Sequence, residues 1–185
     1  MKRLAYLLSF VSIVALSCAR ISGPVANTAV PDQQNETDAP AEKTSAISRL
    51  PNSTLVDFYD PARDPAEDVE QAIPIAENEN KRILLELGGD WCIWCTYMDE
   101  FYAAHTDILQ FRADHYILVK INVSKENENE EFLSQYPSAP GYPHIYILGR
   151  DGTFLHSQNT EELENGADSY VPEIFLAFLQ KWASP

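Results

Sequence analysis

The sequence predicts an α/β domain, a central mixed β-sheet flanked by helices on both faces. Three observations lead there. Apolar runs of strand length, Ile83–Leu87, Tyr116–Val123 and His144–Leu148, are separated by segments whose apolar residues recur at helical spacing. Gly149-Arg150-Asp151-Gly152 is hairpin-turn chemistry and sets the last two strands antiparallel. The end of the chain, from about Val171 to Trp182, reads as a helix burying Ile174, Phe175, Phe178 and Leu179. The resulting order is α-β-α-β-α-β-β-α, with helices between the early strands.

The domain is expected over residues 51–185, behind two other segments. Met1-Lys2-Arg3 and the uncharged apolar run Leu4–Leu16 form the basic and hydrophobic regions of an export signal, too short to span a bilayer. Two cleavage sites compete. Ala15-Leu16-Ser17-Cys18 is similar to a bacterial lipobox, with Ala15 where Leu is usual, and would make Cys18 the lipidated first residue. Ser17-Cys18-Ala19 also fits a small-x-small site cut before Arg20. The lipoprotein reading is preferred, giving a leader over 1–17, an exported and periplasmic protein, and a lipid anchor on Cys18. Residues 18–50 carry Pro24, Pro31 and Pro40 among small polar residues and read as a flexible linker, because they cannot bury enough apolar surface to offset ordering entropy. The net charge of −15, from 13 basic and 28 acidic residues, argues against nucleic acid or an anionic membrane surface as a partner through a basic patch.

Within the domain, Asp64 is the expected N-cap and Pro65 the first residue of a helix with Ala66, Val69, Ala72, Ile73 and Ala76 on one face, running to about Asn78. Pro74 inside it predicts a kink or an earlier end. Ile83-Leu84-Leu85-Glu86-Leu87 reads as a buried central strand with a single charge, closed by Gly88-Gly89. A helix then opens at Cys92 and loosens near His105. Thr106 or Asp107 caps a second short helix with Ile108, Leu109 and Phe111. Tyr116–Val123 is the second strand. Asn127–Tyr136 is expected as an acidic helix, and Pro137, Pro140, Gly141 and Pro143 break the chain before His144–Leu148. Thr153–His156 pairs back as the final strand.

The chemistry concentrates at Trp91-Cys92-Ile93-Trp94-Cys95. Two cysteines two residues apart, between a strand and a helix, suggest thiol–disulfide exchange. Trp91-Cys92-x-x-Cys95 after a buried strand, Tyr142-Pro143 before a later one, and the terminal hairpin and helix together resemble the thioredoxin superfamily. LGGDWCIWC and GYPHIYIL are most similar to exported thioredoxin-like proteins related to the thiol-reducing domain of bacterial disulfide-interchange proteins. The resemblance covers about residues 53 to 183 and implies a thioredoxin-like fold. It makes Cys92 the attacking and Cys95 the resolving cysteine, and Pro143 the cis-proline whose loop docks an extended substrate segment. It makes Glu86, six residues before Cys92, a buried acid exchanging a proton with the resolving thiol. Ile93-Trp94 stands where thioredoxin itself has Gly-Pro, so potential and substrate preference do not carry over.

The residues are consistent with those roles. The free N–H groups and dipole of a helix N-terminus favour a thiolate at Cys92, while Cys95 lies one turn in and is better shielded. With Asp90 and Glu86 as charged neighbours, an uncharged dipeptide between the cysteines and an acidic domain, thiolate stabilisation is weak and a reducing pair is expected. Trp94 is expected to be exposed and close to substrate with Tyr142, and Trp91 either to join them or to support the turn. A solvent-facing Glu86 on an edge strand is the alternative for that residue. For the cysteines, the alternatives are a structural disulfide or half a zinc site; neither fits a lone CxxC, whose loop is too small to stabilise much. Thr96 rather than His follows Cys95, which excludes haem attachment. A metal site with His144 is not expected, and that histidine should be partly exposed. His105, His115 and His156 read as surface or structural.

The expectation is therefore a protein-disulfide reductase that needs no cofactor beyond its own Cys92–Cys95 disulfide, takes protein thiols and disulfides as substrates, and draws electrons from a membrane-embedded donor. The rival from another class is a non-catalytic binding or chaperone module holding extended segments on the Pro143 loop.

Overall fold

The computed structural model describes residues 54–183. The leader, Cys18 and the linker lie outside the described residues. The elements are β1 (Thr54–Val56), α1 (Pro65–Glu79), β2 (Arg82–Gly88), α2 (Ile93–Ala104), α3 (Thr106–His115), β3 (Tyr116–Asn122), α4 (Glu130–Leu133), β4 (His144–Leu148), β5 (Phe154–Asn159), a 3-10 turn at Thr160–Leu163, and α5 (Pro172–Trp182).

Five strands form one mixed sheet in the order β1-β3-β2-β4-β5. β3 runs parallel to both β1 and β2, while β4 is antiparallel to β2 and β5. Strand alternation divides β2 between two cores. Ile83, Leu85 and Leu87 join Val69, Ala72 and Ala76 of α1 on one face. Leu84 joins Met98, Phe101 and Tyr102 of α2, Ile108 and Leu109 of α3, and Phe175 and Phe178 of α5 on the other. Glu86 and Gly88 share the parity of Leu84, so they face the side on which α2 starts.

Several departures from the sequence reading have local causes. β1 was not expected; it is three residues long and is held by pairing with β3 at Thr54–Leu118. α1 continues through Pro74 to Glu79 rather than ending early: Pro74 is on the exposed face, where the lost hydrogen bond opens to water, and buried Ala72 and Ala76 hold both halves on the sheet. Asp64 caps α1 as expected, its side chain accepting from the Ala66 N–H at 2.8 Å. α3 begins at Thr106, but its cap is His105, with no side-chain hydrogen bond, so neither Thr106 nor Asp107 serves.

The acidic helix shrinks to the single turn α4. Asn129 is left-handed (φ 50°), the Asn127 side chain bonds the Asn129 N–H, and the Asn129 side chain reaches back to the Asn122 carbonyl at 2.7 Å. Asparagine side chains here satisfy the backbone in place of a helix. β5 extends to Asn159 because β4 offers partners as far as His144. In α5, Ile174 is 47% exposed, and the buried face is Phe175, Phe178 and Leu179.

Phe175 is the centre of the larger core, its ring contacting Phe101, Tyr102, Tyr170 and Phe178 at centroid distances of 4.9, 5.4, 5.5 and 6.2 Å. The Tyr116 hydroxyl donates to the Leu179 carbonyl at 2.6 Å and ties α5 to β3. Phe175→Ala is expected to cost about 3–5 kcal/mol, since four rigid rings cannot close over the hole. Urea denaturation should show a lower midpoint at unchanged slope.

Candidate active site at the end of strand β2

The site is built from the close of β2 and the opening of α2. Gly88 ends the strand at a point that no side chain could occupy: a Cβ there would lie 2.4 Å from Cys95 Sγ and 2.9 Å from the Tyr59 hydroxyl. The turn closes with the Cys92 N–H donating to the Gly89 carbonyl at 2.9 Å. Cys92 is the N-cap of α2, and its sulfur accepts the Cys95 N–H at 3.2 Å. Cys92 and Cys95 form a disulfide, Cα–Cα 5.3 Å, and both are buried.

Tyr142 packs with Tyr59 against the two cysteines. The Tyr142–Pro143 peptide is cis, the geometry the resemblance implies for Pro143. The Pro143 carbonyl accepts the Thr160 hydroxyl at 2.5 Å, which anchors this loop to the 3-10 turn.

Trp94 departs from its expected place, and of the two places open to Trp91 the exposed one is taken. Trp91 is 60% exposed, its indole N–H donating to the Val123 carbonyl at 2.7 Å and its ring meeting Tyr142 edge-on at 5.7 Å. Trp94 is half-buried instead of exposed, edge-on to Tyr97 and Tyr170, whose hydroxyl donates to the Trp94 carbonyl at 3.1 Å. Trp94 lies on the helix face that meets the core before α5, and Ile93 takes the outward position at 57% exposure.

Behind the disulfide lies a charge cluster that the sequence reading did not assemble. Glu86 is fully buried on a central strand, which removes the edge-strand alternative. Parallel register sets it beside Lys120 of β3. The Lys120 ammonium is 3.4 Å from Glu86 Oε1 and donates to both Asp99 oxygens of α2, at 2.6 and 2.8 Å. The Tyr59 hydroxyl donates to Glu86 Oε1 at 2.7 Å, and its ring centre is 5.0 Å from Lys120 Nζ. Glu86 Oε2 has no partner among the described residues.

Burial opposes the charge on Lys120, but Glu86 and Asp99 outweigh it and hold its pKa above the ordinary value. Burial and then Glu86 push Asp99 up. Burial, reinforced by Glu86, keeps the Tyr59 phenol protonated well beyond its usual range. To the expected charged neighbours Asp90 and Glu86 the structure thus adds a buried ammonium, shared between two carboxylates. One signal for it was in the sequence. Lys120 is the lone charge in its apolar strand, as Glu86 is in the apolar run Ile83–Leu87, and two such charges in paired strands satisfy each other.

His144 is also corrected. It is buried, its Nε2 2.7 Å from the Ser157 hydroxyl and its Nδ1 without a partner among the described residues. Burial, and then the nearby His156, lower its pKa to about 4. Among the described residues no three His, Cys, Asp or Glu side chains gather as a metal ion would require.

Residues 64–149 match the sequence model of the thioredoxin-like family. The thiol:disulfide interchange protein DsbD of Pseudomonas fluorescens is 29% identical over 131 residues, which is 70% of this chain and 20% of that protein. The disulfide bond reductase DsbH of Chlamydia pneumoniae is 24% identical over 117 residues, 58% of this chain and 69% of that protein. Among solved structures, a disulphide isomerase from Xylella fastidiosa superposes with a TM-score of 0.57 at 24% identity, over 68% of this chain and 96% of its own. The chain spans about a fifth of the length of the DsbD relatives it matches. The fold is thioredoxin-like, as the motifs implied.

Two outcomes follow from the buried polar groups. Tyr59→Phe keeps the ring and removes the donor to Glu86, so it should cost about 1–3 kcal/mol in denaturant titrations. For His144, the folded value of about 4 lies below the ordinary value near 6.5. As pH falls through that window the unfolded chain gains a proton that the folded chain refuses, so stability declines. Thermal melts of His144→Asn should show a shallower decline between pH 6.5 and 4 than the parent.

Proposed function

We propose that this thioredoxin-like domain is a thiol–disulfide oxidoreductase working as a reductase of protein disulfides outside the cytoplasm. The observation that carries the reading is the Cys92–Cys95 disulfide at the N-terminus of α2, with Cys92 as its cap. In the reduced enzyme the Cys92 thiolate attacks one sulfur of a substrate disulfide and expels the other as a thiolate, giving a mixed disulfide. Cys95 loses its proton and attacks Cys92 Sγ. The mixed bond breaks, the second substrate thiolate leaves, and the enzyme disulfide forms. Two electrons have then passed to the substrate.

Glu86 is assigned the Cys95 proton. Its Oε2 is buried without a partner among the described residues, and Tyr59, which bonds its Oε1, crowds the same point above Gly88 as Cys95 Sγ. Trp91, Tyr142 and Pro143 are assigned to substrate contact, and Trp94 to support of the helix start.

Direction is argued from charge. A strongly oxidising pair depends on a stabilised thiolate in its reduced form. Here two carboxylates, Glu86 and Asp99, face one ammonium behind the cysteines, and Asp90 adds a further acid in the turn. The balance disfavours the thiolate and favours reducing power.

The leader over residues 1–17 supports export to the periplasm, and Cys18 in its lipobox-like setting supports a lipid anchor. A reductase in that compartment is separated from cytosolic reductants, so a membrane-embedded protein is proposed as its electron donor. That the DsbD relatives are named for thiol:disulfide interchange and the DsbH relative for disulfide reduction supports the chemistry.

The chain should accelerate insulin reduction by dithiothreitol, and Cys92→Ser should fall to the uncatalysed rate. Equal activity in the two proteins would favour the non-catalytic binding module. Cys95→Ser should accumulate mixed disulfides whose partners mass spectrometry can identify. A measured potential near the about −120 mV of strong oxidants would reverse the direction of transfer.

A further inference from the structure

We propose that the groove running from Trp91 and Tyr142 along residues 124–139 binds the client segment, and that it selects an aromatic or branched apolar side chain flanked by lysine or arginine. This deepens the oxidoreductase reading and rests on it.

The groove encloses about 900 Å³, a size suited to bulky side chains rather than to a flat contact. Leu87, Leu133, Tyr136 and Tyr146 line its interior. Trp91 and Tyr142 border it on the side of the cysteines, since Tyr142 packs against Cys92 and Cys95 while meeting the Trp91 ring. A segment held in the groove therefore has its own disulfide beside Cys92.

The groove is formed before any client arrives. The Trp91 indole is fixed on the Val123 carbonyl. Asn122 donates to the Ser124 hydroxyl and the Asn127 carbonyl at 3.1 and 3.0 Å, and Asn129 closes back on Asn122. Tyr136 stacks on Tyr146, whose hydroxyl donates to the Pro137 carbonyl at 2.5 Å. With the walls tied in this way, little ordering cost falls on binding.

Charge sets the sign of the partner. The exposed side chains Glu126, Glu128 and Glu130 line the groove against a single cation, Lys125. Glu128 is near enough to Tyr142 to add to the upward push that burial gives its phenol. Cations flanking the apolar side chain meet this rim favourably, whereas acidic flanks are repelled.

The test uses the full chain, reduced beforehand, in single-turnover reactions with peptides whose central cysteine is a mixed disulfide with thionitrobenzoate. Attack of Cys92 on the peptide sulfur releases coloured thionitrobenzoate, and Cys95 then frees the peptide thiol. Three peptides are compared, with Phe and Lys, Phe and Glu, or Ser and Lys beside the cysteine. The first is expected to react about 10-fold faster than either of the others at low salt, and its advantage over the Glu peptide should shrink as salt screens the rim.

The variant Glu126→Gln/Glu128→Gln/Glu130→Gln should bring the Lys and Glu peptides to within about twofold. Glu67→Gln/Glu70→Gln/Glu77→Gln on α1 makes the same change in net charge away from the groove and should leave the preference intact. Equal rates for the Lys and Glu peptides, no advantage of Phe over Ser, or equal loss of preference in both triple variants would overturn the proposal. Failure of every peptide to react would instead overturn the oxidoreductase reading beneath it.

Discussion

The contact between Glu86 and Lys120, buried between the sheet and α2, is the constraint on which the site depends. Moving two charges out of water is costly, and their attraction offsets that cost only when geometry and additional hydrogen bonds are good. Elements far apart in sequence supply the geometry and most of those hydrogen bonds, leaving Glu86 Oε2 unpaired among the described residues. Parallel register brings the two residues side by side, Asp99 of α2 takes two hydrogen bonds from the ammonium, and Tyr59 from the loop after β1 takes the place of water at Glu86. A slip of one residue between β2 and β3 would turn one of the charges toward the α1 side and into a cluster of buried apolar side chains. The ion pair thus fixes the register, and the register fixes where β2 ends and α2 begins.

From that point the site is shaped by what is left out. Gly88 has no side chain, so the Cys95 sulfur and the Tyr59 hydroxyl approach the strand together. Gly89 leaves room for the Trp91 indole to fold over the turn and bond Val123. The same carbonyl-to-indole bond links the cysteine turn to the start of the segment that walls the groove. The proposed chemistry and the proposed recognition therefore meet at one short turn.

Local chemistry made much of this legible from the chain alone. Asp64-Pro65, the Gly149–Gly152 turn, the Ile83–Leu87 strand and the Cys92 helix start all announce themselves through adjacent residues, and the structure keeps each. Features decided by distant partners did not. β1 exists because β3 has a free edge for it, and Pro74 is tolerated because it faces water. Asn129 adopts a left-handed turn that no period in the sequence marks. At the site, a helix start with two tryptophans does not say which points outward; that depends on Tyr97 and Tyr170 receiving Trp94 and on Val123 holding Trp91. Tyr59 and Lys120 lie 33 residues before and 28 after Cys92 and become site residues only through the sheet.

The sulfur that caps α2 couples the cysteines to the folding equilibrium of the whole domain. The Cys95 amide is shared between the Cys92 carbonyl at 3.1 Å and Cys92 Sγ at 3.2 Å, so the first turn of the helix is completed in part by an atom whose bonding changes whenever the disulfide opens. A thermodynamic cycle joins folding and reduction: the difference in folding free energy between disulfide and dithiol chains equals the difference in reduction free energy of the pair in the folded and unfolded states. A fold that makes its cysteines more reducing than they are in an unfolded chain is, by that same amount, sturdier with the bond closed. In the proposed reductase role, the domain would rest in its sturdier form after each turnover, and its electron donor would supply the work of loosening it.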